Sequence, residues 1–405
     1  MNALSLLPRA FIGALAVLAI AVHCSPAVAS DPQLISRADG SRGERIGAAS
    51  VGSISGDGRY VAFAAKGRIF VRDVVAGRTR GQGEGEEPDL SADGHHLAYV
   101  DADGQIYVRD LRGGGRVLVS RQAYGDSIPG PKGDAGSRSP SLSADGRFVA
   151  FASYSLNLVD EDGRPGRDRY PSGVPFGQIE QVFVRDLVAK RTTLVSRASG
   201  RAGRILAVGS EREPVISADG RFVAFRGGGV YLRDLRSHRT RWLGDGYAPA
   251  LSATGRRVAY LEEDAVVVRD LETDWRQRVR VSGTPSAIAP ALSADGRFLA
   301  VESESARLYL RDLLRGRSLL VRYTGNAGTP PSLSTDGRFL AFDTLRRVSS
   351  SCSWPSDVVE PPAPEYEPAE ANASLSCAGL LTGGVYRATN PLLRRSQPAR
   401  AAPTS

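Results

Sequence analysis

The residues of this chain that could do chemistry repeat instead of converging. An arginine followed by an aspartate closes six β-rich runs, at Arg72-Asp73, Arg109-Asp110, Arg185-Asp186, Arg233-Asp234, Arg269-Asp270 and Arg311-Asp312. A second carboxylate recurs in a Ser-x-Asp-Gly turn as Asp57, Asp93, Asp145, Asp219, Asp295 and Asp336, with Thr254 once in its place. A general acid, base or nucleophile acts at one place and does not survive replacement by threonine. Recurrence therefore assigns both series to structure. The arginine stem packs over neighbouring sheet surface, and Asp73, Asp110, Asp186, Asp234, Asp270 and Asp312 accept hydrogen bonds from the backbone of the turn that follows.

Motifs of catalysis are missing. There is no Gly-x-Ser-x-Gly nucleophile elbow and no phosphate-binding Gly-x-x-x-x-Gly-Lys-Ser/Thr loop. His95, His96 and His238 stand in or beside turns, without the spacing of zinc ligands. Asp160 to Asp168 is oxygen-rich in the manner of a calcium loop, but it lacks the closing glutamate and contains Arg164 and Arg167. Asp101 to Gly104 is a weaker case of the same kind. No metal and no cofactor is expected. Two carboxylates meeting across the fold, as glycoside cleavage requires, leave no mark in a sequence.

What must position these residues is a repeated set of short strands. In the clearest copy Pro140 to Ser143 is extended, Asp145-Gly146 marks a turn, and Arg147 to Ala152 alternates bulky and small residues with the period of a strand. Val182 to Arg185 and Thr193 to Ser196 are two more β-rich runs. Asp-Gly suits a two-residue hairpin in which both central residues take φ > 0, so the unit reads as a four-stranded antiparallel meander. The turn serines, Ser55, Ser91, Ser143, Ser217, Ser252, Ser293 and Ser334, are 36, 52, 74, 35, 41 and 41 residues apart, and the short intervals match a propeller blade. In the seventh copy Gly384 to Arg387 stands for the third strand, without the aspartate. Gln33 to Ala38 matches the fourth strand at Thr193 to Ala198, but no first three strands precede it. The expected fold is all-β: a seven-bladed β-propeller of four-stranded antiparallel blades, its ring closed by the N-terminal strand. Pro391 to Arg394 is the alternative closing strand.

In such a meander the second-to-third-strand loops and the blade-to-blade connections emerge on one face. The Asp-Gly turns and the turns after Arg-Asp emerge on the other. The long insertions, 121–139, 154–180, 198–213 and 344–383, all belong to the first face. They carry Tyr124, Tyr154, Tyr170, Phe176, Trp354 and Tyr366, side chains of the kind that anchor binding surfaces on a rigid scaffold. Pro361 to Pro364, among Glu360, Glu365, Glu367 and Glu370, reads as an acidic flap facing a partner.

Composition bounds the classes. The 405 residues include 45 Gly, 24 Pro and 41% hydrophobic residues, which suits many short strands and a full-sized core. The net charge is +8, but twelve arginines sit at the two fixed repeat positions, so the charge is spread around the ring and nucleic-acid binding is not expected. Residues 1–29 read as a cleaved secretory signal: Arg9, an apolar run from Ala10 to Val22 too short to span a bilayer, and the small residues Ala27 and Ala29 at the cleavage site. A secreted or periplasmic chain with no membrane span after cleavage follows. Cys352 and Cys377 are then an isolated pair in an oxidising compartment and read as a disulfide, which contributes about 3 kcal/mol in the loop-entropy account. Residues 30–390 form the propeller domain and 391–405 a polar tail.

The Asp-Gly turn, the strand of the type Arg147 to Phe151 and the later strand of the type Val182 to Leu187 together resemble the TolB-like, or PD40, β-propeller repeat, from about residue 33 to 390. That family usually reads Ser-Pro-Asp-Gly where this chain has Ala, Gly or Thr in second place. The resemblance implies a scaffold in the periplasm or outside the cell, here without the preceding α/β domain of TolB. The expected function is non-enzymatic binding of a protein, peptide or glycan through the loops of one face. The alternative is an exported hydrolase or lyase with its site at the mouth of the propeller channel.

Overall fold

The protein is described by a computed structural model, which defines residues 33–344 apart from 41, 47–48, 121–135, 156–157, 159–179, 202, 207–213, 264, 281–286, 304–306 and 322–329, together with 384–390 and 392. Its 28 strands form seven four-stranded antiparallel sheets. Blade 1 consists of Ser50–Ile54, Tyr60–Ala65, Arg68–Asp73 and Arg78–Glu84, paired in that order. Blades 2 to 6 repeat the meander over 86–118, 137–194, 215–244, 247–280 and 287–321. Blade 7 joins the chain's two ends. Ser332–Leu333, Phe339–Thr344 and Gly384–Thr389 are completed by Gln33–Leu34, with Gln33 opposite Arg387 and Leu34 opposite Tyr386. The N-terminal strand closes the ring, and Leu392 packs against that blade's core instead of supplying the strand.

Register corrects the reading of blade 7. Phe148, Phe222 and Phe298 stand opposite Asp186, Asp234 and Asp312, and the equivalent Phe339 stands opposite Thr389. The place of the aspartate is therefore held by Thr389 and that of the arginine by Ala388, not by Arg387.

The turn chemistry also differs from a two-residue hairpin. Gly58 N–H donates to the Ser55 carbonyl at 2.9 Å, closing a four-residue turn, and among the turn residues only the glycine has positive φ, +73° at Gly58. Asp57 stays in the right-handed region because its carboxylate is engaged: Ser55 Oγ donates to it at 2.6 Å and Arg59 N–H at 2.9 Å. Glycine is required twice over at this position. Besides its φ, a Cβ on Gly58 would meet the ring of Phe339 in the preceding blade at 2.1 Å, and Gly220 meets Phe148 in the same way at 2.2 Å.

The core lies between blades. Alternate residues of each strand face opposite neighbours, so each apolar cluster joins two sheets; one contains Val51, Ile54, Val61 and Phe63 of blade 1 with Ile35 and Ala341 of blade 7. Aromatic pairs stack across second and third strands at matching places, Phe63 on Phe70 at 5.3 Å and Phe151 on Phe183 at 5.7 Å between ring centroids.

Two connections are longer than a turn yet leave the loop face. After the outer strand of blade 7, residues 35–46 fold back beside blade 1; after that of blade 3, residues 195–206 fold back beside blade 4. In the second, Gly200 N–H reaches the His238 carbonyl, in the turn between the last two strands of blade 4, at 2.7 Å. Part of the insertion at 198–213 is thus packed between blades and does not decorate the loop face.

Candidate binding face and channel

On the Asp-Gly face the polar groups are consumed locally. The strand arginines and aspartates expected as packing residues have specific partners: Asp73 accepts Arg59 Nη2 at 2.7 Å and the N–H groups of Val75 and Ala76 at 3.0 and 2.9 Å. The Arg59 hydrogen bond is the main reason that the Asp73 carboxyl lies below the usual carboxylate range. The same pairing joins Arg147 to Asp186, Arg221 to Asp234 and Arg297 to Asp312 at 2.6–2.7 Å. In blade 5 Arg256 reaches Asp270 at 2.9 Å, and Thr254 replaces the turn aspartate by accepting Arg256 N–H at 3.3 Å. Blade 2 departs from the pattern. His95 stands where the turn arginine would be, 3.3 Å from Asp93, and Arg112 Nη2 lies 2.6 Å from its Nε2. Asp110 there holds backbone N–H groups, which lower its pKa.

At this end the channel is bounded by a ring of backbone hydrogen bonds. The second residue of each Ser-x-Asp-Gly turn links to that of the next blade: Thr335 N–H to Gly56 O, Gly56 N–H to Ala92 O, Ala144 N–H to Ala218 O, Ala218 N–H to Ala253 O, Ala253 N–H to Ala294 O and Ala294 N–H to Thr335 O, all at 2.8–3.0 Å. Asp93 N–H completes the circle to Ala144 O at 3.3 Å. Proline has no N–H to donate. This accounts for Ala, Gly or Thr, and not Pro, as the second residue of these turns.

Inside the channel, one step from these turns, the innermost strands offer a different set of groups. Two residues before each turn serine stand Ser53, Asp89, Ser141, Val215, Ala250, Ala291 and Ser332. The four polar ones tie neighbouring blades: Ser332 Oγ accepts Ile54 N–H at 3.2 Å, Ser53 Oγ accepts Leu90 N–H at 2.5 Å, Asp89 Oδ2 accepts Leu142 N–H at 2.7 Å and Ser141 Oγ accepts Ile216 N–H at 3.2 Å. Asp89 is only partly open to the channel, and burial pushes its carboxyl up to about 6 against the opposing hydrogen bonds from Leu142 and Ser53. Next to it, Glu87 is exposed as a residue, but its Oε2 is turned onto Ser139 N–H at 2.6 Å, where desolvation raises its pKa against that bond. Arg138 holds the buried Glu180 through two bonds of 2.7 and 2.9 Å, and its guanidinium lies 5.8 Å from the ring centroid of Tyr154. Across the channel mouth, blades 4 and 5 enclose a shallow cleft of about 280 Å³ lined by Arg226, Asp245, Tyr247 and Glu263.

Of the aromatic residues expected to bind, Tyr154 is placed at this channel mouth, half-buried under Arg138. Tyr124, Tyr170, Phe176, Trp354 and Tyr366 lie outside the described residues, as do Cys352 and Cys377 and the oxygen-rich stretch 160–168. Asp101 accepts the N–H groups of Asp103 and Gln105 within a turn. No metal-binding group of three or more His, Cys, Asp or Glu occurs among the described residues, and no helix among them is long and apolar enough to cross a membrane. Sequence reasoning missed Glu87, Asp89, Arg138 and Glu180. Asp89 could have been found by comparing the residue two before each turn serine, where acid replaces Ser, Val or Ala once.

No family description matches the chain, and no curated protein matches it. Solved structures do. An oligogalacturonate lyase in complex with manganese aligns with 90% of this chain and 92% of its own, with 13% identity and a TM-score of 0.50. The oligogalacturonate lyase of Vibrio parahaemolyticus covers 79% of this chain and 89% of its own at 12% identity and a TM-score of 0.48. TolB of Acinetobacter baumannii covers 70% and 66% at 17% identity and a TM-score of 0.41. At such identity the likeness speaks to architecture alone. This chain is a seven-bladed β-propeller, similar in fold to a solved lyase.

Proposed function

We propose that the chain is an exported, non-enzymatic binding propeller that recognises a protein, peptide or glycan through the face where its blade-to-blade connections and second-to-third-strand loops emerge. One observation carries the reading: the contrast between the two faces. On the Asp-Gly face, turn carboxylates, serine hydroxyls and inner backbone groups are spent on the turns and the ring. The opposite face is the one from which, by the order of strands in each blade, the second-to-third-strand and blade-to-blade connections leave, among them those between Ser120 and Gly136 and between Thr344 and Gly384. That face also holds Glu87, Arg138 and Tyr154 at the channel mouth and the cleft beside Arg226 and Tyr247. A rigid ring carrying variable loops on one side is a common plan for recognition. Export rests on the signal-like residues 1–29.

Asp89, inside the channel and with its raised pKa, is the group that would favour a hydrolase or lyase. It shares with Ser53, Ser141 and Ser332 of the same column the job of capping a neighbouring N–H, and this supports binding over catalysis. The test is a crosslinking capture from envelope and culture fractions. The baits are residues 30–405 and a version with 159–179 and 345–383 shortened to minimal turns. A partner held by the first bait and lost by the second, still folded, supports the reading. Equal recovery by both, or none by either, overturns it.

A further inference from the structure

The residue facing the third-strand arginine sorts the blades into two kinds. Arg72 stands opposite Thr79, Arg185 opposite Thr192, Arg233 opposite Thr240 and Arg311 opposite Ser318, but Arg109 stands opposite Arg116 and Arg269 opposite Arg276. The two exceptions belong to blades 2 and 5, which follow their predecessors directly: Gly85 alone separates Arg78–Glu84 from Glu86–Leu90, and Asp245-Gly246 separates Arg239–Gly244 from Tyr247–Leu251.

The slots beside blades 1 and 4 show what the hydroxyl is for. There the loops 35–46 and 195–206 lie between blades. The buried Arg72 donates to the carbonyls of Arg37, Ala38 and Gly40 at 3.0–3.3 Å and to Thr79 Oγ1 at 2.8 Å. Thr79 N–H is capped by Asp39 Oδ1 at 2.7 Å. Arg233 makes the same set with Arg197, Ala198, Gly200 and Thr240. A folded-back loop of polypeptide, presenting successive carbonyls to the arginine, thus fills each of these slots.

The direct connections leave the slots between blades 1 and 2 and between blades 4 and 5 without such a loop, and both are walled by arginine. The preceding blade adds Arg78 and Arg80 to one and Arg239 and Arg241 to the other, all exposed. Val71 and Leu232, the strand partners of Arg80 and Arg241, lie in the cores shared with blades 2 and 5, which fixes the side these two arginines face; Arg78 and Arg239, two residues away on the same strands, share that side. In the first slot Arg116 lies 4.5 Å from the ring centroid of Tyr107 and Arg109 reaches the Gly114 carbonyl at 3.4 Å. In the second, Arg269 donates to the Leu243 carbonyl of blade 4 at 2.6 Å and pairs with Asp274 at 3.0 Å, and Arg276 pairs with Glu262 at 2.7 Å. Arg78, Arg80, Arg239 and Arg241 have no carboxylate partner among the described residues.

We propose that these two slots bind extended acidic peptide segments of a partner protein. The peptide's carbonyls take the place that loops 35–46 and 195–206 take elsewhere, and its carboxylates pair with the guanidiniums, whose planar forks suit them. The peptide, not another polyanion, is favoured because the equivalent slots already accept polypeptide. The slots lie on the rim, so this proposal and the loop-face reading stand or fall separately.

Fluorescence anisotropy on the full chain tests it, with a fluorescein-labelled peptide of alternating Glu and Thr and its Gln-Thr counterpart as probes. The variants R80T/R116T and R241T/R276T introduce the residue that blade 3 carries at Thr193 and Thr192, so the fold should tolerate them. If thermal melting shows otherwise, R80Q/R116Q and R241Q/R276Q replace them. The expected result is salt-sensitive binding of the acidic peptide, a stoichiometry halved by either double variant, and affinity weakened at least about tenfold by the four changes together. Equal binding of the neutral peptide, or unchanged binding by the quadruple variant, overturns the proposal. Heparin or single-stranded DNA binding these slots more tightly than the peptide overturns the assignment to a peptide.

Discussion

Asp89 carries a cost that its serine counterparts do not. Its carboxylate caps Leu142 N–H across a blade boundary, as Ser141 caps Ile216 N–H, but burial raises its pKa to about 6. A carboxyl whose folded pKa exceeds the unfolded value is stabilising while protonated, and that contribution disappears as pH rises from about 4 through 6. Asp89→Ser keeps a cap and removes the charge. We expect it to leave stability nearly unchanged at pH 4 and to raise it by about 1–3 kcal/mol at pH 7.5, read as an upward shift of Tm confined to the higher pH. An equal shift at both pH values would show that the carboxylate is not the cause. The turn-face aspartates move the opposite way. Asp73 is held low mainly by Arg59, so its contribution is present at neutral pH and is lost only on acidification below the ordinary carboxylate range.

At the scale of elements, the third-strand arginine and the fourth-strand hydroxyl act as a clasp for the connection that arrives from the previous blade. Thr240 Oγ1 accepts Arg233 Nη1 at 2.8 Å and donates to the Arg197 carbonyl at 2.6 Å. Thr240→Val preserves shape but leaves both partners short of a bond in a buried site, so a loss of about 1–3 kcal/mol is expected, measured by urea unfolding. Thr192→Ser retains the hydroxyl facing Arg185 and is expected to cost less than about 1 kcal/mol. The contrast between the two separates the hydroxyl's hydrogen bonding from general sensitivity of the outer strands.

For the whole molecule, the ring closes because Gln33–Leu34 completes the sheet that the C-terminal strands begin. A ring joined through strands from both ends cannot lose one without exposing the edge of Gly384–Thr389. A chain starting at residue 49 lacks that strand and also the loop that satisfies Arg72. Its Tm is expected to fall by more than about 5 °C relative to one starting at residue 30, with faster proteolysis within 384–390. Equal melting and protection of the two chains would mean that blade 7 is closed by other residues.

Much of this architecture is legible in order along the chain because each blade repeats the same local problem. The spacing of Ser55, Ser91, Ser143 and their successors counts the blades, and the unpaired strand at Gln33 announces the closure. Local rules suffice there: alternating side chains, glycine at positive φ and a repeated turn. What remained hidden depends on neighbours distant in sequence. Arg72 looks like a surface strand residue until residues 37–40 are laid beside it, and Asp89 looks like one more carboxylate until Leu142 is brought to it from the next blade. The missing proline of the turns has no meaning before the inner N–H groups meet around the channel. By itself the sequence determined the number of blades and the four-stranded meander of each, and it narrowed the closing strand to two candidates, between which the structure chose Gln33–Leu34. Only the tertiary structure decided which arginines are buried in clasps and which line open slots, because that depends on how far each connection must travel between blades.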